Sequence, residues 1–195
     1  MQCSKRILSS AVVSGLLALA ALPVASANDG PAGGPVVAGT WEHRHASFHY
    51  DGITSLYSCS GLESNIRALL QHMGARKDLT VRAYGCPGGH DAPGRTAIVD
   101  VDFYSLAPSA DANAANSVQA RWTPVTVSAN DPNFIGQGDC ELIHEMKDIL
   151  SKNFSLRDLN YRTDCTPYQV NINDFSVKAE ILKPLPATVA SAAQG

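Results

Sequence analysis

The chain has 195 residues, with 15 lysines and arginines against 18 aspartates and glutamates, a formal net charge of −3 with neutral histidines. That length suits one domain of ordinary size with a real hydrophobic core. A mildly acidic chain without a basic cluster argues against nucleic acid or an anionic membrane as partner.

Lys5 and Arg6, the apolar run over residues 7–22, Pro23 and the small-residue pattern Ala25, Ser26, Ala27 read as a secretory signal peptide cleaved after Ala27. No second apolar stretch follows, so residues 1–27 read as a leader and not as a permanent membrane anchor. Its loss takes Lys5, Arg6 and Cys3 and leaves 168 residues, 13 basic against 18 acidic, a net charge near −5. The expected location is the periplasm or the extracellular space. In that oxidising setting Cys59, Cys86, Cys140 and Cys165 are expected to form two disulfides. No CxxC occurs, so neither a thioredoxin-like motif nor a zinc knuckle has support.

Residues 28–40 have the composition of a flexible N-terminal arm. The segment WEHRHASFHYD follows, and in an extended chain His43, His45 and His49 project to one side. Imidazoles so placed suit copper, nickel or zinc, or they line an exposed strand. Fully extended, His45 to His49 spans over about 13 Å, too far for one ion without a bend.

An internal repeat decides the organisation. At an offset of 80, Leu62, Leu70, Asp78, Leu79, Arg82 and Pro87 meet Leu142, Leu150, Asp158, Leu159, Arg162 and Pro167. In the first copy Leu62, Ile66, Leu69 and Leu70 form a helical stripe, Ser60 and Glu63 fit a capping box, and Gly74 offers a left-handed stop, so a helix is expected over residues 60–73. Leu142, Met146, Ile149 and Leu150 repeat the stripe over residues 140–152, with Asn153 in the left-handed role. Each helix is followed by a strand with matching alternation, Leu79, Val81, Ala83 and then Leu159, Tyr161, Thr163 facing inward. Further strands are expected over residues 97–106, with Val99, Val101 and Phe103 inward, and over residues 168–182, with a bulge near Asn173 and Asp174. Strands over residues 46–57 and 120–128 precede the helices.

The unit is thus β-α-β-β, used twice: residues 41–106, an exposed linker over 107–119, then residues 120–183 and a flexible tail over 184–195. Each helix has one apolar stripe, so the expected fold is α+β, a mostly antiparallel sheet with both helices on one face and pseudo-twofold symmetry. Cys59 and Cys140 stand at the helix starts, Cys86 and Cys165 at the ends of strands that return antiparallel, which predicts Cys59–Cys86 and Cys140–Cys165.

Candidate chemistry is sparse. His144 to Asp148, HEMKD, lacks the second histidine of a zinc-protease helix, and reads as a solvated face with His144 and Asp148 paired. Asp100 and Asp102 share one strand face near His90 and Asp91, which would need a common pocket to act as an acid–base or metal site; charge pairs with Arg82 and Arg162 are the simpler reading. His72 reads as an exposed cation at the end of the first helix. No activated nucleophile, phosphate loop or dinucleotide motif is present, so no catalytic residue is assigned. The expected function is therefore a disulfide-stabilised binding or accessory protein that holds another exported protein, with Tyr50, Tyr57, Tyr84, Tyr104 and Trp122 as candidate contacts. The alternative is a copper- or zinc-binding protein using His43, His45 and His49.

Overall fold

The computed structural model describes residues 34–53, 55–111, 117–129, 135, 139–165 and 174–186. Its elements run β1 Val36–Asp51, α1 Cys59–His72, β2 Thr80–Tyr84, β3 Thr96–Pro108, β4 Ser117–Ser128, α2 Cys140–Asn153, β5 Leu156–Thr163 and β6 Phe175–Pro184. All pairings are antiparallel, in one sheet of order β2-β3-β1-β4-β6-β5. Exchanging β1 with β4, β2 with β5 and β3 with β6 turns that order into itself. The strand order thus has the pseudo-twofold of a β-α-β-β arrangement used twice.

Local chemistry explains the helix ends. Ser58 caps α1 by accepting from Gly61 N at 3.0 Å. The cap is two residues earlier than Ser60, and Glu63 is released from the expected box to accept from Ala83 N of β2 at 2.9 Å. Gly74, at φ 87°, closes the helix as expected, with Ala75 N donating to Leu70 O and Gly74 N to Gln71 O. α2 ends differently. Asn153 stays helical, its amide donating to Ile149 O, and Phe154 turns extended at φ −116°. Ser105 of β3 reaches across to donate to Asn153 O at 2.7 Å, which satisfies a terminal carbonyl without a left-handed residue.

Both helices cover one sheet face and share a single core with Phe48, Tyr50, Val81, Val99, Val101, Phe103, Val125, Val127, Phe175, Val177 and Ile181. They lie crosswise to the repeat. α1 starts against its own β2, through Glu63 and the Cys59–Cys86 disulfide, but ends at Gly74 beside Ile181 and Leu182 of β6. α2 is joined to the chain beyond β5 by Cys140–Cys165, yet Phe154 at its end stacks on Phe103 of β3 at 5.3 Å. Both disulfides pair as expected.

A second, smaller core lies on the helix-free face, where Trp41 pairs with Leu106 and Trp122 with Leu182. Arg76 lies 5.9 Å over the Trp41 ring and Arg157 3.8 Å over Trp122. The two leucines meet over Gly39, where a Cβ would lie 3.2 Å from Leu182 Cδ2 and 3.4 Å from Leu106 Cδ2. Only a glycine admits them both at that distance.

Several boundaries differ from expectation. β1 begins at Val36 and pairs over Val36–Thr40 with β4, so the second half of the expected arm is strand. It ends at Asp51, and Tyr57 makes only an isolated bridge to Gly94. β3 and β4 extend into the expected linker from both sides, to Pro108 and from Ser117. β5 does not bury Leu159 or Thr163: Asp158 is left-handed at φ 52°, the register slips one residue between Arg157 and Asn160, and the strand is an edge, with Tyr161 half-buried beneath Lys147. β6 begins at Phe175; the expected start at Tyr168 and Asn173 of the expected bulge lie outside the described residues, as does the leader.

Because the helix ends are exchanged, the two units are expected to unfold as one. Single-tryptophan variants Trp41→Phe and Trp122→Phe, which each report one half, should give coincident denaturant transitions. Phe154→Ala should lower both midpoints together, by about 3 kcal/mol in stability. Separate transitions would refute the crossed packing.

Candidate functional site

The register places three rows of side chains on the helix-free face of the first unit. His45 of β1, Asp102 of β3 and Thr80 of β2 form one row, Ser47, Asp100 and Arg82 the next, and His49, Ile98 and Tyr84 the last. His43 stands beside Tyr104, ring centroids 5.1 Å apart, and Arg76 lies 3.7 Å over the Tyr104 ring.

His45 Nδ1 is 3.1 Å and His43 Nε2 3.6 Å from Asp102 Oδ1, all three side chains more than half exposed. The extended geometry expected of the histidines is present. His49, however, lies beside Ile98 at the far row. Among the described residues no three His, Cys, Asp or Glu side chains are grouped so as to hold a metal ion. A single ion shared by His43, His45 and His49 is thus not formed here, because a straight strand spreads them.

The Asp100 carboxyl is held below its usual range, first by the Ser47 hydroxyl, with Tyr84 and Arg82 adding to it. Tyr84 donates to Asp100 Oδ2 at 3.1 Å, and this bond pushes the phenol up. Arg82 stands across from Asp100 in the register and its charge is the smallest influence lowering that carboxyl; Arg162 lies on β5 at the other edge of the sheet and cannot join it.

His90 belongs to a different place. It sits in the loop between β2 and β3, with Nε2 3.4 Å from Glu63 Oε1 and Nδ1 3.4 Å from Asp91 Oδ1, while its carbonyl accepts from Ser60 N. His90, Asp91, Asp100 and Asp102 therefore do not gather around one cavity. Among the described residues depressions lie elsewhere, at Arg162, Asp164 and Asp174, at Val36 to Ala38 with Ser117 to Gln119, and between β1 and α2. On α2, Asp148 pairs with Lys147 at 3.1 Å, and His144 is a lesser influence on it. His72 meets Thr126 O at 3.1 Å, a contact from α1 to the other unit.

The five expected aromatic contacts divide. Tyr50 is fully buried and Trp122 only 6% exposed, so both are core and not contact residues. Tyr57 is half-buried and donates to the buried Asp139, joining the loop before α1 to the start of α2; burial first, then Asp139, pushes both Tyr50 and Tyr57 well above the ordinary phenol range. Tyr104 is half-buried under Arg76. Only Tyr84, 48% exposed, is displayed.

Four residues missed by pattern reading join it at one end of the unit or fix that end. Ile98 lies directly across from Tyr84. Ile53 and Leu56 are exposed on the loop after β1, which is braced by Gly52 N to Arg95 O, Tyr50 OH to Ser55 O and Gly94 N to Tyr57 O. Gly52 makes the tight loop possible, since a Cβ there would strike Ser55 O. No alternation marks Ile53 or Leu56 in the sequence, because a loop has no period.

No protein-family model, curated protein or solved structure matches the chain. Two disulfides, and no helix among the described residues long and apolar enough to cross a membrane, fit an exported protein.

Two solution measurements follow. Copper(II) or zinc titrated into the disulfide-bonded protein should bind weakly, with little change in the His43, His45, His49 triple alanine variant; tight one-to-one binding lost in that variant would restore the metal site. The His90 pKa is raised, by Glu63 first and then Asp91. Its contribution to stability is therefore full below the unfolded value near 6.5 and is lost as pH rises through the higher folded value. The wild-type denaturation midpoint should fall relative to His90→Gln as pH rises above about 6.5, and parallel curves would remove the contact.

Proposed function

We propose that the chain is an exported binding protein, without catalytic machinery of its own, that holds another exported protein against the end of its first unit. The observation that carries this is the distribution of exposed apolar side chains. Among the described residues six large hydrophobics are exposed, and four of them, Ile53, Leu56, Tyr84 and Ile98, lie at that one end. Single exposed apolar residues need no explanation, but a group of them rimmed by polar side chains is the usual mark of an interface.

The rigidity of the setting supports the same reading. Tyr84 and Ile98 stand on paired strands, and Ile53 and Leu56 on a loop tied at both ends and close to the Cys59–Cys86 staple. Such a surface loses little conformational entropy on binding. Exposed Asp51, Arg82, Asp91 and Arg95 around it carry both signs, which suits a polar rim and offers no basic platform for an anionic membrane.

Photo-crosslinking in the producing cell tests this. A benzophenone side chain in place of Tyr84 or Leu56 should yield one discrete heavier adduct, and the same group at Thr126, on the second unit's helix-free face, should not. Leu56→Asp should abolish the Tyr84 adduct. No adduct at either position, or equal adducts at all three, would defeat the proposal.

A further inference from the structure

Among the described residues β2 and β5 occupy equivalent edges of the sheet but are not equally closed. On β2 the N–H of Ala83 points away from β3 and is taken by Glu63 Oε1 at 2.9 Å. An unpaired edge strand is a template for another strand, and a carboxylate laid on its N–H groups blocks that template. On β5, Asp164 N donates to Asp174 O at 3.0 Å, in step with the pairs Arg162↔Ser176 and Asn160↔Lys178. Antiparallel alternation then turns the main-chain groups of Tyr161 and Thr163 to the open side. Thr163 is the counterpart of Ala83 at the offset of 80, and the counterpart of Glu63 is Ile143, which is fully buried in the core. Among the described residues no carboxylate stands where Glu63 stands on the other edge.

We propose that this open edge pairs, antiparallel, with the β5 edge of a second copy of the chain. The bulge at Asp158 leaves Asn160 to Thr163 as the regular stretch. Centring the pair on Tyr161 gives reciprocal main-chain bonds between the two tyrosines, sets each Arg162 across from Asn160 of the other copy, and covers Leu159, 41% exposed, with Thr163. Centring it on Arg162 would oppose two guanidinium groups, so charge selects the first register. The joint would span residues 159–163, the same five-residue length over which β1 and β4 join the two halves of one chain. It is a closed, isologous arrangement, the commonest form of self-association. With so few bonds and little apolar cover it is weak, with a Kd on the order of 0.1 to 1 mM. The β5 edge is at the opposite side of the sheet from Tyr84, so this association and the proposed partner surface stand or fall separately.

Sedimentation equilibrium of the disulfide-bonded protein, from about 10 µM to about 2 mM, should show a reversible monomer–dimer equilibrium. Amide exchange at Tyr161 should slow as concentration rises, while Ala83 stays protected throughout. Asn160 is exposed, so changing it removes no packing. Asn160→Arg should abolish the dimer, and Asn160→Asp, which places a carboxylate across from Arg162 twice, should tighten it about twofold to thirtyfold. A monomer across the whole range, a Tyr161 amide protected at every dilution, or a dimer of equal strength in both variants would overturn the proposal.

Discussion

The five-residue antiparallel joint between Val36–Thr40 and Ser117–Arg121 is the contact on which the rest of the molecule depends. It places the pseudo-twofold axis, and it brings Leu106 and Leu182 together over the one position, Gly39, that lacks a side chain. The two tryptophans flank that meeting point and an arginine covers each ring, so a sheet face that would otherwise lie open gains a small core of its own. The closeness has a cost. Trp122 Nε1 is buried there without a hydrogen-bond partner among the described residues, a penalty of about 1 to 3 kcal/mol.

On this common frame the halves have diverged by position. Where the first unit sets His45 against Asp102, the second sets Thr126 against Lys178; where the first sets His43 against Tyr104, the second sets Pro124 against Glu180. None of these side chains is needed by either core. The scaffold contacts, in contrast, recur: tryptophan with leucine, arginine over tryptophan, a disulfide from the helix start to the strand end. Shared residues hold the sheet, and divergent ones decorate its free face.

The architecture was legible because a recurring pattern doubled every signal. Leu62, Ile66, Leu69 and Leu70 alone are an ambiguous stripe, but their recurrence at Leu142, Met146, Ile149 and Leu150 identifies two helices, and the cysteine positions then leave one sensible pairing. Boundaries failed where long-range contact outweighs local composition: Val36 to Thr40 looks like a flexible arm until β4 lies beside it. The free surface was hardest to read. Tyr50 and Trp122 resemble interface anchors in composition, and only packing distinguishes them from Tyr84. Arg76 and Arg157 carried a usable signal that the chosen offset hid, since each stands 35 positions after its tryptophan.

The exchanged helix ends also bear on how the chain can reach this state. Phe103 finishes its packing only when Phe154 arrives, and Ile181 lies beside the turn at Gly74, so native contacts link residues 51 and 107 positions apart. Folding with so many distant contacts must close large loops before they are rewarded, and it is slow for that reason. A chain emerging with its first unit alone has no native surface on which to lay the end of α1. The half-made molecule therefore stays loose, and a loose chain is the form that can be threaded, bound or moved before its two halves lock.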